Sequence, residues 1–150
     1  MTELKKFFQN YFGNASEYLM KYYSELRSRF KYLEDELGVK FYIYIETEKR
    51  DYWPLALLNQ WIGYLDSAKQ TIDDLQYTNK DLYESIIKRI DLESISLKYL
   101  KIQLYGDIAY NEVTLLQEKK DFRKLANSLN ISNYREAINI TELYTKWGLS

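Results

Sequence analysis

Between Pro54 and Gln76, six apolar side chains limit what the chain can fold into. Leu58, Trp61, Leu65, Ala68, Ile72 and Leu75 recur at steps of 3, 4, 3, 4 and 3, which places them on one stripe of an α-helix. Asn59, Asp66, Lys69, Gln70, Asp73 and Asp74 fill the other face. Pro54 suits a first turn, where its missing N–H costs nothing. At about 1.5 Å per residue the predicted helix is about 34 Å long. It can bury six side chains only against other helices or a sheet. Gly63 falls inside it, at a cost of about 1 kcal/mol relative to Ala; it either permits a close helix contact or is simply tolerated. The stripe is core and carries no chemistry.

The flanking sequence repeats this helical spacing. Residues 3–12 form a short predicted helix with Leu4, Phe7, Phe8 and Tyr11 on one side, ended by Gly13-Asn14. A second helix, capped by Asn14 or Ser16, reaches Leu37 with a core stripe of Leu19, Tyr23, Leu26, Phe30, Leu33 and Leu37. Gly38 suits its C-terminal cap. Val39 to Glu46 changes period, with Val39, Phe41, Ile43 and Ile45 alternating with Lys40, Tyr42, Tyr44 and Glu46 as in a strand. A strand needs a ladder partner. Its one candidate is Ser94 to Tyr105, which also reads as a helix with Ile90, Leu97, Leu100, Leu104 and Ile108 on one face. The helical spacing is the stronger there, leaving 39–46 as an extended connection or a small β element.

Helical spacing resumes over 80–90 after Tyr77-Thr78-Asn79. Gly106-Asp107 marks a turn and cap before a helix in which Ile108, Leu115, Phe122 and Leu129 recur every 7 residues, closed by Asn130. Ser132 or Asn133 opens a last helix, with Glu136 placed for a capping box and Gly148 as its stop. No repeat, low-complexity tract or linker interrupts the 150 residues. The expected fold is one mainly α domain over 1–150, a bundle of five or six helices with a small β element near 39–46.

The residue types missing from the chain narrow its chemistry. Cysteine and histidine are both absent. That removes thiolate chemistry, disulfides, His-based triads, and zinc or di-iron sites that need His. The five glycines are isolated, so no phosphate-cradling loop exists. A net charge of −1 gives no global attraction to nucleic acid. No apolar run approaches the roughly 20 residues that cross a bilayer, and the N-terminus lacks a signal-peptide pattern, so a cytoplasmic location and no membrane partner are expected. Asn14-Ala15-Ser16, Asn130-Ile131-Ser132 and Asn139-Ile140-Thr141 read as caps and turns rather than glycan acceptors.

Glu34-Asp35-Glu36, Glu46-Thr47-Glu48 and Asp73-Asp74 are the densest acidic groups and read as solvated helix faces and termini. A carboxylate-metal nuclease would use Asp107, Glu118 and Lys120, but it needs the last two on a strand, and the spacing there is helical. Basic residues interleave with aromatics at Leu26-Arg27-Ser28-Arg29-Phe30-Lys31-Tyr32 and at Lys119-Lys120-Asp121-Phe122-Arg123-Lys124. This could pair phosphates and stack bases, although Phe30 and Phe122 belong to core stripes. No metal or cofactor is expected.

What the chain has in excess is tyrosine, at 16, with 3 tryptophans. Tyr18, Tyr22, Tyr32, Tyr42, Tyr44 and Tyr110 fall off the core stripes. Tyrosine, tryptophan and arginine anchor protein interfaces. A second stripe on the second helix, Tyr18, Tyr22, Glu25, Arg29 and Tyr32, is therefore the expected partner-binding face, unless that helix lies between two neighbours and both stripes are core. Glu25 and Arg29 stand in the favourable order for an ion pair along it.

Runs such as Phe41-Tyr42-Ile43-Tyr44-Ile45 and Leu97-Lys98-Tyr99-Leu100-Lys101-Ile102, in a chain without Cys or His, resemble the small helical proteins of viruses that infect hyperthermophilic crenarchaea. The resemblance implies a viral protein of a thermophile's virus, either a helical virion protein or a small binder and inhibitor of host machinery, including transcription machinery. The expected function is non-enzymatic binding of a host or viral protein through Tyr18, Tyr22, Arg29 and Tyr32. A structural protein of an assembly is the alternative, with nucleic-acid binding or a nuclease third.

Overall fold

The side-chain hydroxyl of Thr2 accepts the Lys5 N–H at 3.2 Å and starts α1, Glu3–Phe12. From there the chain is mainly α, in a computed structural model that describes residues 2–38, 48–135 and 138–149. The strand-like stretch 39–46, with Tyr42 and Tyr44, lies outside the described residues. The chain divides into two compact units, Met1–Ile90 and Asp91–Ser150.

In the first unit, α1 passes through a 3-10 turn, Gly13–Ala15, into α2, Ser16–Leu37. The side-chain cap expected from Asn14 or Ser16 is not used. The 3-10 turn feeds the helix directly, with the Ser16 N–H bonded to the Gly13 carbonyl. Gly38 closes α2 as expected; its φ of +64° is left-handed, and its N–H returns to the Leu33 carbonyl. The helix predicted over 54–76 is divided. α3 spans Leu55–Thr71, and α4, Leu75–Thr78, follows a turn. Asp73 and Asp74 would oppose the negative end of a longer helix, and the Thr71 hydroxyl bonds back to the Ala68 carbonyl at 2.6 Å. The stripe is nonetheless core: Leu58, Trp61, Leu65, Ala68 and Ile72 are buried. They pack along α2 on Leu19, Tyr22 and Leu33. Ile86 and Ile90, from the start of α5, Lys80–Tyr105, are also buried.

The whole of Ser94 to Tyr105 is helical, inside α5, so the helical reading of that segment holds. In the second unit the next helix starts later than its heptads suggest. α6 is Glu112–Ser128, and Ile108 lies outside it, exposed. Asn111 sets the start through a capping box. Its side chain accepts the Thr114 N–H at 2.8 Å, and its own N–H reaches the Thr114 hydroxyl at 3.0 Å. Asn130, at φ +58°, turns the chain out of α6.

The last helix also starts later than expected. An antiparallel pair that the spacing does not predict, β1, Asn133–Arg135, and β2, Ile138–Asn139, comes first. α7, Ile140–Lys146, then opens on Asn139, whose side chain accepts the Thr141 N–H at 2.9 Å. An Asn immediately before the helix satisfies a donor there, whereas Ser132 precedes β1 and Asn133 is paired in it. Ile95, Ile102, Phe122, Ala126, Leu143 and Trp147 form the core of this unit. The Phe122 ring meets Trp147 edge-on at 5.1 Å, and the Trp147 indole N–H donates to Gln103 at 3.0 Å.

A Cβ placed on Gly63 meets nothing within 4 Å, so no close contact requires glycine there. Gly63→Ala should stabilise the protein by about 0.5–1 kcal/mol. The expected readout is a higher urea midpoint with an unchanged m-value, and a lower midpoint would contradict it.

Candidate functional site

The Tyr/Arg stripe on α2 does not form one surface. Tyr22 is 2% exposed, edge-on to Trp61 with ring centroids 5.7 Å apart. It is core, which corrects its expected role in a contact face. The cause is position: α2 lies between α1 and α3, and Tyr22 falls where α2 meets Trp61 of α3. Tyr18 is half-buried, with the Lys21 ammonium 5.4 Å from its ring. Tyr32 is exposed, under the Arg29 guanidinium at 5.0 Å.

Arg29 is engaged inside the unit. Its Nε donates to the Tyr52 carbonyl at 2.9 Å and its Nη2 to the Asp51 carbonyl at 3.1 Å. The expected ion pair with Glu25 is not made, because each residue has found a partner on another segment. The Glu25 carboxylate accepts from the Gln60 amide, from the Tyr64 hydroxyl at 2.6 Å, and from the Trp61 indole N–H at 3.4 Å. The hydrogen bond to Glu25, then burial, then the Glu25 charge raise the Tyr64 pKa above its usual value. These residues fasten α2 to α3.

The exposed aromatic surface lies instead on α1. Phe8 and Phe12 are buried, but Leu4, Phe7 and Tyr11 remain exposed, Phe7 at 55%. They line an open groove of about 510 Å³ with Tyr23, Leu26, Arg27 and Phe30 of α2. Phe7 stacks on Tyr11 at 5.6 Å, with the rings 11° from parallel. Arg89 of α5 packs against Tyr11. Its guanidinium carbon is 4.1 Å from the ring centroid, and Nη1 donates to the Tyr11 carbonyl. The spacing predicts Leu4, Phe7, Phe8 and Tyr11 on one side of a short helix, and the structure leaves Leu4, Phe7 and Tyr11 exposed. A sign was available: with Phe8 and Phe12 they wrap α1 more widely than one antiparallel neighbour can cover.

The other candidate residues do not converge. Glu118 and Lys120 lie two apart within α6, where such positions do not share a face. Among the described residues no group of three or more Asp or Glu side chains could hold a metal ion. In the second unit, burial and then the Glu118 charge push the Tyr110 pKa up to about 12. No helix is long and apolar enough to cross a membrane, among the described residues. Comparison of the chain with protein-family models, with curated proteins and with solved structures gave no match.

Arg29→Ala removes two hydrogen bonds from a charged donor and should destabilise the protein by about 1–2 kcal/mol in urea unfolding. Arg29→Lys should not restore it, since one ammonium lacks the planar fork that reaches both carbonyls. An unfolded phenol titrates near pH 10, so the folded state keeps the Tyr110 proton longer. The stability tied to that proton is complete below about pH 10 and is lost as pH rises toward 12. Ultraviolet titration should show a phenol with a midpoint near 12 that Tyr110→Phe deletes.

Proposed function

We propose that this chain is a non-enzymatic protein-binding module that seats part of a larger partner in the α1/α2 groove. The observation that carries the reading is the exposure of Leu4, Phe7 and Tyr11 around one open apolar groove. Contiguous apolar surface rimmed by polar groups is a mark of partner binding, and rings anchor such contacts at low entropy cost. The absence of Cys and His from the chain supports a binding role over nucleophilic or acid–base catalysis. Its specific form, as for the viral proteins that the chain resembles in character, is a regulator or inhibitor of a host macromolecular machine such as transcription machinery.

The paired variant Leu4→Ser, Phe7→Ser tests it. A photo-crosslinking phenylalanine in place of Tyr11, which lines the groove, should join the protein to a partner in lysate of the native cell, and that partner, purified, should bind the wild-type chain. The variant should bind it at least about tenfold more weakly. Because both side chains are already exposed, the melting temperature should fall by no more than about 4 °C. Full retention of binding would remove the groove from the function.

A second reading, a structural protein of a virion or other assembly, is favoured by one observation. The second unit also exposes apolar side chains, Ile108 at 61%, Val113 at 78% and Leu116 at 43%. A chain with an apolar patch on each unit can join copies through unlike surfaces and extend without closing. Light scattering over a concentration series separates the readings: an assembly protein grows with concentration, whereas a partner-binding module keeps a constant small mass.

A further inference from the structure

The groove is bounded by apolar rings and by positive charge. Arg27 is the one charged residue among its lining, and it has no intramolecular partner among the described residues. Arg89 stands against Tyr11, a wall of the groove. Among the described residues no acidic side chain lines it. The acids nearest in sequence are Glu3, in the first turn of α1, and Glu25, whose carboxylate is taken up by Gln60, Trp61 and Tyr64 of α3. The groove's volume, about 510 Å³, would suit a small molecule. Its shape does not, because small-molecule sites bury most of their ligand and here three of the walls are themselves exposed. The exposed residues from Leu4 to Tyr11 cover two turns of helix, or about 10 Å. An occupant lying along them would present side chains at i, i+3, i+4 and i+7.

We infer that the occupant is an amphipathic helix of a partner protein, its apolar stripe laid in the α1/α2 groove and acidic residues along its flanks facing Arg27 and Arg89. This rests on the groove being the binding site and adds the form and charge of what binds. A ring-lined groove holds a helix by burial, while the two guanidiniums set orientation and reject basic helices by like-charge repulsion.

Two synthetic helices of about four turns serve as probes. They share Leu and Phe at i, i+3, i+4 and i+7 on an alanine host, and differ only in carrying Glu or Lys on the flanks. Each is labelled and titrated by anisotropy at physiological salt. The acidic peptide is expected to bind at least about tenfold more tightly than the basic one. Arg27→Ala should weaken the acidic peptide about threefold to fivefold, the size of one exposed ion pair. Arg27→Glu should narrow the gap between the peptides, and Leu4→Ser with Phe7→Ser should abolish binding of both.

Equal binding of the two peptides, or binding of neither, overturns the inference. So does a groove-dependent dimer in sedimentation, which would make the occupant a second copy. Phe7-dependent binding to phosphatidylserine vesicles in place of the acidic peptide would also overturn it. If the peptides fail while the paired serine variant still loses the crosslinked partner, only the helical acidic occupant falls. If that variant keeps the partner, the groove itself is wrong.

Discussion

Trp61 is the residue around which the first unit is arranged. Its indole is wholly enclosed, and so large a side chain must find a partner for its N–H when it is buried. Glu25 provides the acceptor, and the same carboxylate takes the hydroxyl of Tyr64 and the amide of Gln60. A charged acceptor at a half-buried position is costly unless several donors converge on it, and here three do. Tyr22 and Trp53 close over the indole edge-on. Arg29, one turn further along α2, then holds the backbone of the segment that carries Trp53. The α2–α3 seam is thus aromatic at its centre and charge-fixed along its edge.

The location of the open surface follows from that seam. Tyr22, which turns to Trp61, is removed from solvent although sequence spacing alone would leave it outside. α1 has no such central ring. It is 10 residues long, and it buries Phe8 and Phe12. Leu4, Phe7 and Tyr11 stay exposed, although Arg89 packs on the Tyr11 ring. The groove and the packed seam are two outcomes of one helix, α2, having a broad neighbour on one side and a narrow one on the other.

The helical class, the bounds of α1 and α2, and the buried stripe of α3 were legible because each depends on local period and on terminal residues such as Gly38. What could not be read was which of two stripes on α2 met which neighbour. That depends on three helices at once, and spacing reports only one. Helix starts failed for a similar reason. Asn111 and Asn139 cap through side-chain oxygens that compete with other Asn, Asp and Ser residues nearby, and only the folded geometry picks the winner. Ile108, placed in a heptad by spacing, is outside α6 for that reason. The groove was half legible: spacing puts Leu4, Phe7, Phe8 and Tyr11 on one side of α1, but it does not report how much of that side α2 covers.

The bond from Arg89 to the Tyr11 carbonyl joins residues 78 positions apart. A helix as short as α1 is marginal in water by itself, and the turn that follows it lies close to α5, where a Cβ at Gly13 would be 3.4 Å from Ile86. On the ribosome, then, α1 leaves the exit tunnel long before its stabilising residues exist. A nascent chain stopped short of α5 would carry α1 without the guanidinium that packs on the Tyr11 ring and bonds its carbonyl.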